Sequence, residues 1–369
     1  MDSSRLKFGK AEMIGLLINT ISLQIFLNYP RTMAEHSGTA GWILSIYTGI
    51  IVFIIFAIIA KLYSQFEGKD ILDVSEYLAG NTGRIFMGVA VMLHTSFAIS
   101  IILREFSENM KTISLTSSPI SYVTFFFIVC IMAASYFGIE SLARTNLIIQ
   151  PVITIAFIII MIGALPYADI NNLFPIWGNG IENIFIKGIK NISSYSAIII
   201  LFIFFPFIRT NKIFKISGFT GIILSAIFFT ISTITYTMVY PYPESMESFL
   251  PIFRLSRLIN FGRFFQRIES VFLLIWASAA FTYLSAMFFL IVYIFAKTFK
   301  LEYYKPLILP FLIIIFTASL LPGSLVEAIN LETVYFRSVA WIVPFGLTTL
   351  VLLLANLKKK YSRKGIIRK

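Results

Sequence analysis

The chain is short of charge. Asp, Glu, Lys and Arg make up 13% of its 369 residues, against roughly 25% in an ordinary soluble domain. Hydrophobic residues make up 58%. A water-soluble core cannot hide that much apolar surface, whereas a bilayer accepts it directly. Cysteine is nearly absent: the single Cys130 lies in an apolar run, which excludes an internal disulfide and a cysteine metal cluster. Histidine is limited to His36 and His94. The nucleophile-elbow, zinc-protease, phosphate-loop and paired-cysteine motifs are missing, and no Ser/His/Asp set is suggested by position. The reading is therefore not an enzyme, with no cofactor and no metal required.

Acidic residues are the scarcer sign. Lys and Arg number 30 against 18 Asp and Glu, a net charge of +12. In a soluble protein this excess points to nucleic acid. Here it sits in loops and in the tail of residues 358–369, which holds Lys358, Lys359, Lys360, Arg363, Lys364, Arg368 and Lys369. Nucleic acid is not expected, and the tail reads as an anchor beside anionic lipid. Met1 to Lys10 shows no cleavable signal pattern and reads as a short basic lead into the first span.

What is abundant is the apolar run of about 20 residues, the length that crosses a bilayer as a helix; barrel strands are about half as long and alternate. We expect an all-α integral membrane protein of about ten transmembrane helices. The first runs from about Glu12 to Tyr29 and stops at Pro30; the second is Gly41 to Tyr63. An amphipathic connector follows, Ser64 to Arg84. The third is Ile85 to Glu105, the fourth Ile120 to Gly138, the fifth Asn146 to Leu165. The sixth lies within Ile184 to Ile208 and the seventh within Phe214 to Tyr240. Pro241 to Gly262, with three prolines, reads as an external surface helix. The eighth is about Phe264 to Phe299, the ninth Pro306 to Leu321, the tenth Tyr335 to Leu357.

Charge gives the count an orientation. Alternate loops carry Arg5, Lys7 and Lys10; Lys61, Lys69 and Arg84; Arg144; Arg209, Lys212 and Lys215; Lys297, Lys300 and Lys305; and the tail. The intervening loops are poorer: Tyr167 to Glu182 has no Lys or Arg, and the loop before the tenth span holds Glu327 and Glu332, with no Lys or Arg until Arg337. The positive-inside rule then places both termini in the cytoplasm.

Polar residues in mid-span mark candidate function, because lipid exposes them at a cost. The first span holds Asn19, Thr20, Ser22 and Gln24; the sixth holds Asn191, Ser193, Ser194, Tyr195 and Ser196. Both clusters precede a proline, Pro30 and Pro206. Interrupted helices at matching positions point to a binding site in an inverted-repeat transporter fold, with the first repeat about 11–166 and the second about 183–357. Ordinary polar helix packing is the alternative. In the third span His94 lies deep, and Arg104 and Glu108 are spaced to pair. In the eighth, Glu269, Trp276 and Tyr283 share one face, and Ser278, Thr282 and Ser285 form an adjacent stripe. Arg263, Arg267 and Glu269 read as structural ions. The candidate ligand-binding set is Asn19, Thr20, Ser22, Gln24, His94, Ser193, Ser194, Tyr195, Ser196, Trp276, Thr282 and Tyr283.

Several runs together carry a family resemblance. They are the proline ending the first span, Gly41-Trp42 opening the second, and Arg104-Glu105-Phe106-Ser107-Glu108 closing the third. Gly138-Ile139-Glu140 with Ala143-Arg144-Thr145-Asn146 and Pro151, and Arg267-Ile268-Glu269-Ser270 with Trp276, complete the set. In this order the chain resembles the spore-germination permeases, the B subunits of nutrient germinant receptors, within the amino acid–polyamine–organocation superfamily. The resemblance implies ten helices in two inverted repeats of five, residence in the spore inner membrane, and partnership with an A subunit and a lipoprotein C subunit. It implies a small nutrient ligand, typically an amino acid, with sugars or nucleosides in some members. Superfamily members often carry glycines at the break in the first helix. Asn19 to Asn28 has none, so that signal for unwinding is missing. Two functions suit these residues: a nutrient-sensing receptor subunit, and an amino acid transporter coupled to an ion.

Overall fold

The structure, a computed structural model, describes residues 9–208, 210–259 and 268–367, without the side chains of 268–271 and 363–367. Among the described residues, eight helical stretches are long and apolar enough to cross a membrane. The broken first helix and the short apolar stretch Lys305–Ser319 complete the expected ten.

The first span is not one helix. Helix α1 (Lys10–Ser22) tightens into a 3₁₀ turn, Leu23–Phe26, and then the chain leaves helical geometry. Leu27 (φ −97°, ψ −114°) and Asn28 (φ −112°) carry the break. Both φ values are negative, so the break needs no glycine, which explains how it forms in a stretch that has none. Pro30 does not stop the span, as the sequence suggested. It sits in the first turn of α2 (Tyr29–Ser37), where its missing N–H leaves no acceptor unpaired.

Helix α3 (Gly41–Tyr63) matches the expected second span. The connector and third span differ from expectation: they are joined in α4 (Ile71–Ile113), which runs eight residues past Glu105. Asp70 and Asp73 form a reciprocal capping box at its start, and Gly80 (φ +63°) kinks it after the connector's last turn. The extension past Glu105 is held by burial of Phe106, Ser107 and Asn109.

Helices α5 (Ile120–Phe137) and α6 (Ile139–Ala164) follow. The sixth span is interrupted like the first. Helix α7 (Ile181–Phe185) gives way to 3₁₀ turns over Lys187–Ile198, a short α8 (Ile199–Ile203), and a second break at Phe204, just before Pro206. Helix α9 (Asn211–Val239) comes next, then a short helix α10 (Pro251–Leu258) within the segment expected to hold a surface helix, with Pro251, Ile252, Leu255 and Ser256 buried. Helix α11 (Ile268–Thr298) runs through the centre: 89% of its apolar window is buried, against 28% for the lipid-facing α5.

Helix α12 is Ile308–Ser319. The tenth span starts ten residues earlier than expected, at α13 (Leu325–Asn330), capped by Ser324. It continues through wide π turns at Leu331–Phe336 and Ile342–Leu347, separated by α14 (Arg337–Val339), into α15 (Thr348–Ile367). Glu332 therefore belongs to a membrane helix and not to the loop expected before the tenth span; Arg337, expected inside that span, shares the helix with it.

Contacts at the helix ends sort the loops into two faces. On the lysine-rich face, Lys297 reaches Asp70 and Asp73, Asn356 reaches the Leu62 carbonyl, and Lys358 caps the connector through the carbonyls of Tyr77 and Leu78. On the opposite face, the Asn179 amide bonds the Ser37 carbonyl, Thr39 bonds Pro175, and Asn172 bonds Met238. These are the groupings that the charge alternation requires.

Candidate functional site

The two breaks meet in the middle of the bundle. Thr20, Gln24, His94, Ser196 and Tyr283 come together around an enclosed cavity, with Ala98, Met287 and Phe336 among the apolar walls. The cavity has room for about one water. Each expected element supplies a wall: α1 and its 3₁₀ turn, α4, the 3₁₀ segment of the sixth span, and α11.

Not every expected residue faces this space. Asn19 donates to the Thr282 hydroxyl (2.6 Å) and to the Ala279 carbonyl (3.3 Å). This ties α1 to α11. Ser22 donates to Ser225 on α9 (3.1 Å); with Asn19 it borders a separate crevice near Gln150. Ser193 donates to the Arg337 carbonyl (2.6 Å). Tyr195 is buried against Phe229, and Trp276 packs on Phe106 with centroids 4.5 Å apart. Ser194, Tyr195 and Trp276 keep buried polar atoms without a hydrogen-bond partner, as do Gln24 and His94. Thr20 bonds back to the Leu16 carbonyl (2.8 Å), the ordinary fate of a helical hydroxyl. Arg104 pairs with Glu108 at 2.7 Å, as spaced. Arg263 and Arg267, the side chain of Glu269, and the loop residues Arg5, Lys7 and Arg209 lie outside the described residues.

The sequence reading missed the charged part of the site. Glu332 also lines the cavity. Its Oε1 accepts from Arg337 Nε at 2.8 Å, with the two side chains only 6% and 2% exposed. Arg337 Nη2 donates to Asn28 Oδ1 at 3.1 Å, at the break after α1. With the Ser193 contact, the tenth span is thus bonded to both breaks. Glu105, 1% exposed, lies within electrostatic reach of Glu332 and Arg337. A signal was available: an Arg five residues after a Glu, inside a stretch apolar enough to cross a membrane. The missing backbone regularity hid it, because only the π turn keeps both side chains pointing inward.

A second, larger cavity of about 460 Å³ opens on the lysine-rich face, bordered by Asp73, Glu76, Arg84, Lys297, Lys300 and Tyr293 among others. Most of its charges are in ion pairs: Lys297 with Asp70 (2.5 Å) and Asp73 (2.8 Å), Arg84 with Glu76 (2.6 Å), and Lys300 with Glu76 (3.0 Å). Burial pushes the Asp70 carboxyl up to about 7, against the downward pull of Lys297. Its size is greater, but five of the expected site residues line the central cavity and none lines this one.

A ten-span bundle with breaks in its first and sixth spans is a transporter architecture, and solved structures of that class superpose on it. A nucleobase-cation-symport-1 family transporter, Mhp1, gives a TM-score of 0.67 at 11% identity, covering 92% of this chain and 79% of its own. MhsT in complex with L-phenylalanine gives 0.60 at 16% identity, covering 95% and 89%. These likenesses concern the fold. The family is settled by sequence: the model of the spore-germination permeases, described as spore germination protein, matches residues 10–324, so the chain belongs to that family. Among its relatives, spore germination protein YndE of Bacillus subtilis is 26% identical over 290 residues, covering 75% of this chain and 77% of its own. Spore germination protein B2 of the same organism is 22% identical over 256 residues, covering 69% and 70%. The chain is a multi-pass membrane protein of spore germination, not an enzyme.

Proposed function

We propose that the chain is the membrane subunit of a nutrient germinant receptor, and that a small nutrient, an amino acid in the first instance, binds where the central cavity lies, in an arrangement of the bundle that opens it beyond the one water for which it has room here. The observation that carries this reading is the meeting of two interrupted helices at one enclosed polar cavity. An interrupted helix frees backbone groups for a ligand, which a continuous helix cannot do. Ligand binding then shifts the bundle between two arrangements, and partner subunits read the shift. The partners are an A subunit and a lipoprotein C subunit. The location is the spore inner membrane, with both termini and the lysine-rich face in the cytoplasm. The halves 11–166 and 183–357 act as inverted five-helix repeats, a reading supported by the matched breaks.

The test is germination of spores in which this receptor is the only one present. Replacing Ser196 by Phe, or Tyr283 by Leu, changes the cavity wall. The expected result is loss of the nutrient response at normal protein levels; an unchanged response removes the cavity from the mechanism. The second reading is an ion-coupled amino acid transporter, favoured by the likeness to symporter folds. Concentrative uptake of labelled amino acids into vesicles holding this chain alone would replace the receptor reading with it.

A further inference from the structure

Among the described residues, the centre of the bundle is short of positive charge. Glu105, Glu332 and Arg337 are 1%, 5% and 2% exposed. The nearby Arg104 is committed to Glu108. Glu332 contacts the Arg337 guanidinium, and Glu105 lies within electrostatic reach of both, deep in a membrane helix bundle. Arg337 Nε donates to one oxygen of Glu332 and Nη2 donates to Asn28, while Nη1 is buried without a partner. The second Glu332 oxygen, Oε2, is buried and has no hydrogen-bond partner, and neither has Glu105 Oε1. A buried carboxylate oxygen without a donor is costly, so a site that keeps one has a use for it.

Glu332 borders the central cavity, and the cavity also holds the unpartnered Gln24 Oε1 and His94 Nε2. Two of these three atoms can only accept hydrogen bonds. The group that fits brings several N–H donors and one positive charge. A hydroxyl brings a single donor and leaves the charge unmatched.

We propose that Glu332 is a specificity-determining residue of the nutrient site, and that it selects ligands bearing a protonated amine, which docks on its free oxygen. The proposal rests on the receptor reading above and narrows its ligand class: amino acids and small amines are accepted, sugars and nucleosides are not. Arg337 and Asn28 act as positioning residues, holding the carboxylate from the side away from the cavity.

The experiment uses the purified full-length chain in lipid nanodiscs and follows its thermal unfolding. The probes are an equimolar pool of the twenty common L-amino acids, the pool of matching 2-hydroxy acids, a pool of sugars and nucleosides, and potassium chloride alone. The expected result is stabilisation by the amino acid pool, with the hydroxy acids weaker by about ten-fold or more, because a site built for a donor rejects ligands lacking it. Glu332→Gln keeps an acceptor for Arg337 and removes the charge; it is expected to weaken the amino acid response by about ten-fold or more. Equal stabilisation by hydroxy and amino acids overturns the proposal, as does a Glu332→Gln variant that responds like the parent. Stabilisation confined to sugars and nucleosides, or to potassium, overturns it while leaving a ligand-binding bundle. Stabilisation by none of the probes counts against the receptor reading itself. Should Glu332→Gln fail to fold, the ladder of probes on the unaltered chain still decides.

Discussion

Replacing Lys297 by Met tests the energetics of the lysine-rich face. Lys297 on α11 reaches Asp70 and Asp73, which start the connector helix. The Asp70 side chain is fully buried; those of Asp73 and Lys297 are 31% and 23% exposed. Stranding one member of a buried pair costs about 3–5 kcal/mol, whereas a solvent-exposed pair contributes about 0–1 kcal/mol. Partial exposure of the lysine favours the lower end, so the expected loss is about 3 kcal/mol with Asp70 ionised. The loss depends on pH. Burial raises Asp70 to about 7, above its unfolded value of about 3.9. A carboxyl raised on folding favours the fold when protonated, and that contribution is lost as pH rises from about 4 through about 7. The variant is therefore expected to lose about 3 kcal/mol at pH 8 and about 1 kcal/mol at pH 5, where Asp70 is neutral. Asn caps helices as well as Asp does, so adding Asp70→Asn to Lys297→Met removes the stranded charge without removing the cap. The assay is thermal unfolding of the full chain in mild detergent at both pH values. A pH-independent loss, or a double variant no more stable than the single one, would refute the reasoning.

Three further outcomes follow from the packing. Arg337→Met leaves Glu332 and Glu105 without a counter-charge and is expected to destabilise by about 3–5 kcal/mol, with Glu332→Leu in the same chain recovering most of it; thermal unfolding checks both. Gly218→Ala would place a Cβ 2.0 Å from the Phe56 ring. That ring cannot yield, because Phe202, Phe214 and Phe219 surround it, so a loss of about 1–3 kcal/mol is expected, read as a lower melting temperature. Asn19→Ala removes the two hydrogen bonds to α11 and is expected to cost about 1–2 kcal/mol; an unchanged melting temperature would show that the α1–α11 tie contributes nothing.

The legible part of the candidate site is the part written as local pattern. Thr20, Gln24, His94, Ser196 and Tyr283, which line one cavity, stand out in the sequence because polar side chains inside apolar runs are costly against lipid. Glu332 was hidden because it reads as a loop charge before the expected tenth span, and Arg337 because it stands at the very start of that span. Only the early start of α13 and the π turn at Leu331–Phe336 carry them inward. Pro30 misled for a related reason. A proline shows where a helix cannot continue, but the same geometry lets it begin one, and the choice was made by the break at Leu27 and Asn28.

The sequence by itself determined the solvent and the approximate spans, and grouped the loops into two faces. These are properties of single stretches, since each apolar run must meet lipid and satisfy its own backbone, and each lysine-rich loop answers to the membrane alone. Only the tertiary structure decided where the helices break, which polar side chains share a cavity, and that Arg337 joins Glu332 to Asn28 across more than 300 residues of chain. Those outcomes depend on which remote groups offer hydrogen bonds and charge in a place without water, and no local pattern carries that information.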